Sequence, residues 1–342
     1  MNAWQIAGSF GLANLEAVER PDPDPGPGEV LLRMRAASIN FRDFLMIEGR
    51  YNPKQPLPLV PCSDGVGEVV AFGPGGRERA GGLREGDRVM PIFAQGWLGG
   101  TPRKEAVRTT LGGPLDGTLA ELMTVRADGV VRVPEHLTDE EAATLPCAAV
   151  TAWNALAESG DVRAGETVLT LGTGGVSIFA LQIARLLGAR VIVTSSSDAK
   201  LERARELGAW RGVNYRATPE WGRAVRELTG GEGVDHVVEV GGGETLPRSL
   251  QAVRSGGTIS LIGVLAGRPA ELDVASVLMR SIRVQGVLVG SRDHFEAMNR
   301  AVALHELRPV VDRVFPYEEA PAAFEHLAAG KHFGKVCVAI GG

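Results

Sequence analysis

Cysteine is scarce in this chain: Cys62, Cys147 and Cys337 are the only three in 342 residues, and they are far apart. An odd, scattered set excludes a disulfide framework and fits a reducing compartment. No apolar span reaches the roughly 18 residues of a membrane helix, and nothing resembles a signal peptide, so cytoplasmic residence is expected. Basic residues give no excess either. Lys and Arg number 36 against 41 Asp and Glu, a formal net charge of −5, which offers no general attraction for nucleic acid or an acidic membrane. The expected partner is a small molecule. The six histidines, at 136, 236, 294, 305, 326 and 332, lack metal-ligand spacing and read as structural or solvated. Internal repeats, low-complexity tracts and an obvious linker are also missing.

What the chain does have is length for two domains and a hydrophobic fraction of 44% with 23% charged residues, the balance of a globular protein. Its most informative stretch runs from Gly172 to Leu201, GTGGVSIFALQIARLLGARVIVTSSSDAKL. This reads as strand end, glycine turn, amphipathic helix and second strand, a dinucleotide-binding βαβ unit. The β-prone run Thr167–Leu171 precedes it, and Ile178, Leu181, Ile183, Leu186 and Leu187 recur at helical spacing before Gly188. Gly172 permits the tight turn and Gly174 a close approach to a pyrophosphate. Gly175 and Val176 open the helix whose amides and dipole favour that charge. The third glycine of the pattern is replaced by Ser177, which is expected to loosen helix-to-strand packing slightly. NAD(H) or NADP(H) is the implied cofactor.

An acidic residue at the end of the second strand would hydrogen-bond the ribose and repel a 2′-phosphate. Here Ser195, Ser196 and Ser197 stand there, followed by Lys200 and Arg203. Hydroxyl donors and positive charge favour NADP(H) over NAD(H). The same residues also allow a plainer reading, with the serine before Asp198 as a helix N-cap and Lys200 as a solvated side chain.

Before residue 130 the chain is rich in Pro and Gly and carries short β-like runs at 29–39, 64–72, 87–93 and 117–125. From about residue 138 helices and strands alternate. Strand candidates fall at 167–171, 190–194, 212–215, 235–240, 258–263 and 283–289, with helical segments at 200–209 and 245–254 between them. Six such strands make a doubly wound α/β sheet, and right-handed crossovers place Gly172, the serines and Gly241 at one carboxyl edge. A further helix, the run 309–315 and a last strand at 335–340 follow.

The β-rich start, the central nucleotide unit and the C-terminal HFGKVCVAI together resemble the medium-chain dehydrogenase/reductase superfamily over nearly the whole chain. The resemblance implies a GroES-like β-rich catalytic domain, residues 1–148 with the return 289–342, and a Rossmann domain, 149–288, inserted between them with the active site in the cleft. Further cofactor contacts are implied at Thr151, Tyr215, Gly241, Gly263, Leu288 and Val289. A homodimer is implied too, pairing through the last Rossmann strand.

Many members of that superfamily use a catalytic zinc, while its quinone and enoyl reductases have none. Where zinc members place a first cysteine this chain has Asn40. Where they have Gly-His-Glu it has Cys62, Ser63 and Asp64, and only Cys147 matches a third ligand. One thiolate and a displaced carboxylate, without imidazole, imply no metal. The segment NFRDFLMIEGRY instead resembles the zinc-free quinone and enoyl thioester reductases, with Asn40, Asp43 and Tyr51 in matching places. That likeness implies hydride delivery to an electron-poor alkene or quinone, a proton from Tyr51 or a water it orients, and Asn40 bonded to the carbonyl. Without function, Tyr51 packs beside Pro53, and Asn40 and Asp43 fix a turn. Phe93 and Trp97 stand either as an apolar pocket wall or as core. Two other activities stay open: an alcohol dehydrogenase acting on an activated alcohol through Cys147 and Asp64, and a nucleotide-binding protein without turnover.

Overall fold

Residues 29–39, EVLLRMRAASI, alternate buried and open side chains at first and are then buried on both faces. A strand that begins at a surface and ends inside a protein has this pattern. In the computed structural model, which describes residues 1–267, 269 and 272–341, this strand is the spine of the first of two units. That unit comprises Met1–Val150 with Gly290–Gly342, and the second comprises Thr151–Val289.

In the first unit β1 (Asn2–Ile6) and β2 (Leu15–Glu19) form an antiparallel pair. The larger sheet contains β3 (Glu29–Ile39), β4 (Asp64–Phe72), β5 (Arg88–Pro91), β6 (Leu122–Arg126) and β7 (Val130–Arg132). The second unit holds β8 (Thr167–Leu171), β9 (Arg190–Ser195), β10 (Arg211–Asn214), β11 (Val234–Glu239), β12 (Val253–Leu261) and β13 (Arg283–Gly286). The chain then returns to the first unit as β14 (Val311–Phe315) and β15 (Lys335–Ala339).

The order in the first sheet is β14-β15-β3-β4-β5-β7, with β6 paired to β3. β15, last in the chain, thus lies antiparallel to β3 near the middle of the sheet. Val30, Leu32, Met34, Phe324, Val336 and Val338 fill the core beneath it. Each such side chain contributes about 1.5–3 kcal/mol on burial.

The second sheet is parallel throughout, in the order β10-β9-β8-β11-β12-β13. This is the doubly wound dinucleotide-binding order, and its direction reverses between β8 and β11. The helix Gly175–Leu186 covers β8 and β9 with Ile178, Leu181 and Ile183 buried. Two elements are shorter than the sequence pattern indicates. β13 ends at Gly286, which pairs with Leu261, the last residue of its partner β12, and the later Val289 has a positive φ of 38°. The helix expected over 245–254 covers only Leu246–Ala252, since β-branched Val253 already begins β12.

Candidate functional site

The candidate nucleotide edge of the second unit is built largely from backbone. Gly172, one residue beyond β8, has φ 74°, a conformation suited to glycine, and faces open space where a Cβ would meet nothing within 4 Å. Its N–H donates to Thr194 Oγ1 at 3.3 Å, tying the turn to β9. Gly174 is the N-cap of the helix that begins at Gly175 and Val176, and no side chain caps that end. A twelve-residue helix with an open N-terminus beside an uncrowded glycine turn fits a pyrophosphate. Ser177 does not loosen the packing. It is buried, and its hydroxyl donates to the Leu171 carbonyl at 2.6 Å, tying the helix to the strand end.

Beyond β9, Ser195 is buried and its Oγ accepts the Ser197 N–H at 3.3 Å. Ser197 caps the next helix by accepting the Lys200 N–H at 3.4 Å, so the plain N-cap reading holds for that serine. Ser196 and Lys200 are half-buried at the same edge. Tyr215 is exposed, and its backbone N–H donates to the Ser195 carbonyl at 3.0 Å, which sets its backbone beside the end of β9. Gly241 and Gly263 follow β11 and β12. A Cβ on Gly241 would strike Thr245 and one on Gly263 the Val240 carbonyl, so both glycines serve close packing.

Glu239 was not legible as a site residue. Fully buried, its Oε1 accepts the N–H groups of Gly241 (2.8 Å) and Gly242 (3.0 Å) and the Thr245 hydroxyl (2.7 Å), while Oε2 accepts from Ser249. The carboxylate therefore pins the turn after β11. Thr151 is buried and Leu288 exposed. The Val289 carbonyl accepts from Asn154 Nδ2 at 2.7 Å, which holds a β-branched residue in a conformation it rarely adopts.

In the first unit three neighbouring strand ends meet. Register pairs Val336 with Ile39 and Ser38 with Asp64, so the start of β15, the end of β3 and the start of β4 bring Lys335, Asn40 and Asp64 together. Lys335 is only 3% exposed. Its Nζ donates to Asn40 Oδ1 at 2.6 Å and the Ile39 carbonyl at 3.0 Å, and pairs with Asp64 Oδ2 at 3.4 Å. An ammonium can only donate, so it faces the amide oxygen of Asn40 and turns the Nδ2 hydrogens toward Asp64 Oδ2 (2.8 Å) and Ser63 Oγ (3.2 Å). Burial, only partly offset by Lys335 and Asn40, raises the Asp64 pKa to about 7. Burial likewise pushes the thiols of Cys62 and Cys147 up.

Asp43 is also fully buried. It accepts the Asn40 N–H at 2.9 Å and the Ser63 hydroxyl at 3.0 Å and pairs with Arg42 at 3.0 Å, fixing the start of the helix Phe41–Ile47. Both amide hydrogens of Asn40 have acceptors within the chain, so as placed it does not offer one to a substrate carbonyl. Asn40 and Asp43 act as positioning residues. Tyr51 is different: it is 42% exposed, and its hydroxyl has no hydrogen-bond partner among the described residues. The Arg42 guanidinium stacks over its ring at 5.0 Å and over Phe93 at 5.1 Å, while donating to the Leu111 (2.9 Å) and Gly113 (3.1 Å) carbonyls. Phe93 and Trp97 are buried, as core residues are. His236, on β11, is buried against Ser260 Oγ at 2.9 Å, and burial lowers its pKa to about 4.

The residues at the zinc positions do not fit a tetrahedral zinc ion. Among the described residues no three His, Cys, Asp or Glu side chains are grouped to hold a metal. Asn40, at the first cysteine position, is instead bonded to the ammonium of Lys335, as is Asp64, the neighbour of Ser63 at the imidazole position. Glu239, Arg42 and Lys335 are the functional candidates that sequence reasoning missed, and no short-range pattern marks any of them.

Two family models match, one described as alcohol dehydrogenase GroES-like domain over residues 26–135 and one as zinc-binding dehydrogenase over 175–303. Neither Cys62, Asp64 nor Cys147 falls within the second segment. A zinc-type alcohol dehydrogenase-like protein of Schizosaccharomyces pombe is 43% identical, with 92% of this chain and 91% of that protein aligned. An acryloyl-coenzyme A reductase of Metallosphaera sedula is 30% identical, covering 94% and 95%. A crystal structure from Sinorhizobium meliloti 1021, assigned as an alcohol dehydrogenase, superposes with a TM-score of 0.90 at 42% identity, covering 99% and 100% of the two chains. An NAD-dependent alcohol dehydrogenase gives 0.90 at 35% identity, covering 100% of each chain. A mycobacterial protein complexed with NADPH gives 0.84 at 28%, covering 99% of each. With both domains matched and relatives aligned end to end, the chain belongs to the medium-chain dehydrogenase/reductase superfamily of nicotinamide-dependent oxidoreductases.

Proposed function

We propose that this oxidoreductase works without zinc and reduces an α,β-unsaturated carbonyl or a quinone at the expense of NADPH. The observation that carries the reading is the buried Lys335 ammonium bonded to Asn40 and Asp64, where zinc-dependent members hold their metal. Without a Lewis acid an ordinary alcohol gives up its proton poorly, so an acceptor that is already electrophilic is the better substrate. The acryloyl-coenzyme A reductase among the relatives supports the same direction.

The second unit binds the nucleotide, with the Gly172–Val176 turn and helix start on the pyrophosphate and Ser195, Ser196, Lys200 and Tyr215 around the adenosine end. When bound, the nicotinamide supplies the hydride. The lack of a carboxylate at Ser195–Ser197 favours the 2′-phosphate, and relatives of both nucleotide preferences exist. Tyr51 delivers the proton from its unpartnered hydroxyl. Arg42 holds the tyrosine ring by its face, and Asp43 holds Arg42. Asn40, Ser63 and Asp64 keep the floor of the site rigid.

The test is oxidation of NADPH and NADH, followed by absorbance, against a panel of enones, enoyl thioesters and quinones. Turnover with NADPH, unchanged by a chelator, is expected. No turnover above background anywhere in the panel, or stoichiometric zinc that the activity requires, overturns the reading in favour of an alcohol dehydrogenase.

Pairing of two copies is part of the same proposal. β13 is an edge strand, and the adjoining helix Val274–Met279 leaves Leu278 and Met279 73% and 80% exposed. Open backbone beside apolar side chains suits a second copy related by a two-fold axis. Sedimentation should give a dimer for the native chain and a monomer for Leu278→Asp; a native monomer sinks the idea.

A further inference from the structure

Burying a lysine among strand ends costs desolvation of its charge, and such a residue persists only where its charge is matched and its hydrogens are used. Both conditions hold for Lys335: three hydrogens meet three acceptors, one of them a fully buried carboxylate. One of those acceptors, Asn40 Oδ1, belongs to the residue at the first cysteine position of zinc-dependent members, and another, Asp64 Oδ2, to the neighbour of Ser63, which stands at the imidazole position. The remaining acceptor is the last carbonyl of β3, which leads directly into Asn40.

We infer that Lys335 is the resident cation of this site, standing in for a divalent metal ion, orienting the Asn40 amide by its oxygen, and opposing metal by occupying Asp64 Oδ2 and by charge repulsion, while Asp64 Oδ1 stays unpartnered. The inference rests on the zinc-free reading above and deepens it. Lys335 acts through its neighbours as a positioning residue. Its ammonium fixes Asn40, Asn40 orders Ser63 and Asp64, and Ser63 donates to Asp43 at 3.0 Å, which in turn pairs with the Arg42 that stacks on Tyr51. A chain of direct contacts thus runs from β15 to the exposed phenol. One lysine then does the ordering work that a bound metal does elsewhere, and it cannot be removed by dialysis.

Removing the side chain as Lys335→Ala leaves a gap the size of n-propylammonium. The native chain and the variant are compared with and without n-propylammonium or n-butylammonium, using the neutral alcohols of equal length as controls. Melting temperature and NADPH-dependent turnover are both read. Cobalt(II) is added separately to the native chain to look for a thiolate-to-cobalt absorption band.

The expected result is a variant at least tenfold slower, mainly in kcat, and lower melting. The alkylammonium raises its melting temperature and turnover while the alcohol does neither, and the native chain develops no cobalt band. Equal rescue by ammonium and alcohol overturns the inference, because space filling alone would then account for Lys335. So does a stoichiometric cobalt band with Lys335 in place. A variant that is too unstable to assay is replaced by Lys335→Met, whose unaltered melting temperature would be equally damaging. The melting readout needs no substrate. Failure of the enone panel with ammonium-specific thermal rescue therefore removes the proposed activity and leaves the resident cation standing.

Discussion

The two units build their sites by opposite means. In the second unit the candidate nucleotide edge comes from backbone and from residues close in sequence: a glycine turn, the helix start that follows it, and serines at the end of the next strand. In the first unit the polar cluster comes from side chains that β-sheet register gathers from residues 40, 64 and 335. Local geometry tolerates exchange of most side chains so long as glycine keeps its conformation. A register-built cluster has no such latitude, since one lost partner strands a buried charge.

Lys335→Met should sharpen that contrast most. Leaving Asp64 buried without its cation is expected to destabilise the first unit by about 3–5 kcal/mol, read from urea unfolding of the full chain. A loss below about 1 kcal/mol would put the cluster on the same footing as an exposed ion pair.

The units should also respond oppositely to pH. His236 gives up its proton more readily when folded, with a pKa near 4 against an ordinary 6.5, so its contribution is complete above 6.5 and lost as pH falls through 4. The full span amounts to about 3 kcal/mol by proton linkage. Asp64 holds its proton more tightly when folded, with a pKa near 7 against 3.8, so its contribution is complete below 3.8 and lost as pH rises through 7. Between pH 4 and 6.5 the slopes oppose each other. His236→Asn should leave stability falling with rising pH, and Asp64→Asn should leave it rising; unfolding curves that are the same for both variants would refute the assignment.

Next in size is Tyr51→Phe, which keeps the ring on Arg42 and removes the hydroxyl. A drop in kcat of about 100-fold with little change in KM is expected for loss of a proton donor. Undiminished kcat would leave the aromatic ring with a packing role only. The smallest effect belongs to the backbone-built edge: Gly172→Ala adds about 1–2 kcal/mol of left-handed strain, and the open space in front of it predicts weaker nucleotide binding with modest loss of stability. Nucleotide titration by fluorescence measures this, and unchanged affinity would separate Gly172 from the pyrophosphate.

The same contrast explains what could be read from the sequence. The βαβ unit was legible because turn chemistry and 3.6-residue periodicity are short-range properties, and β3 and β4 begin and end where their apolar runs do. β2 was not legible: of Leu15–Glu19 only Leu15 is buried, so hardly any pattern survives. Ser177 was misjudged because its hydroxyl, which donates to Leu171, offsets the missing glycine. The site residues divide in the same way. Tyr51 stands out in the sequence only through its neighbours in NFRDFLMIEGRY. Lys335 was invisible, because a lysine late in the chain reads as solvated and its burial depends on strands some 270 and 295 residues earlier. Asn40 stands out in the same segment, yet its engagement on all sides depends on that same lysine.

The place of β15 has a consequence for biosynthesis. On the ribosome, β3 and β4 emerge early, and the whole second unit is translated before the strand that completes their sheet. Until β15 leaves the exit tunnel, Asp64 lacks the counter-ion that Lys335 supplies. The nucleotide-binding unit, contiguous from Thr151 to Val289, has no such dependence and can fold while its companion waits.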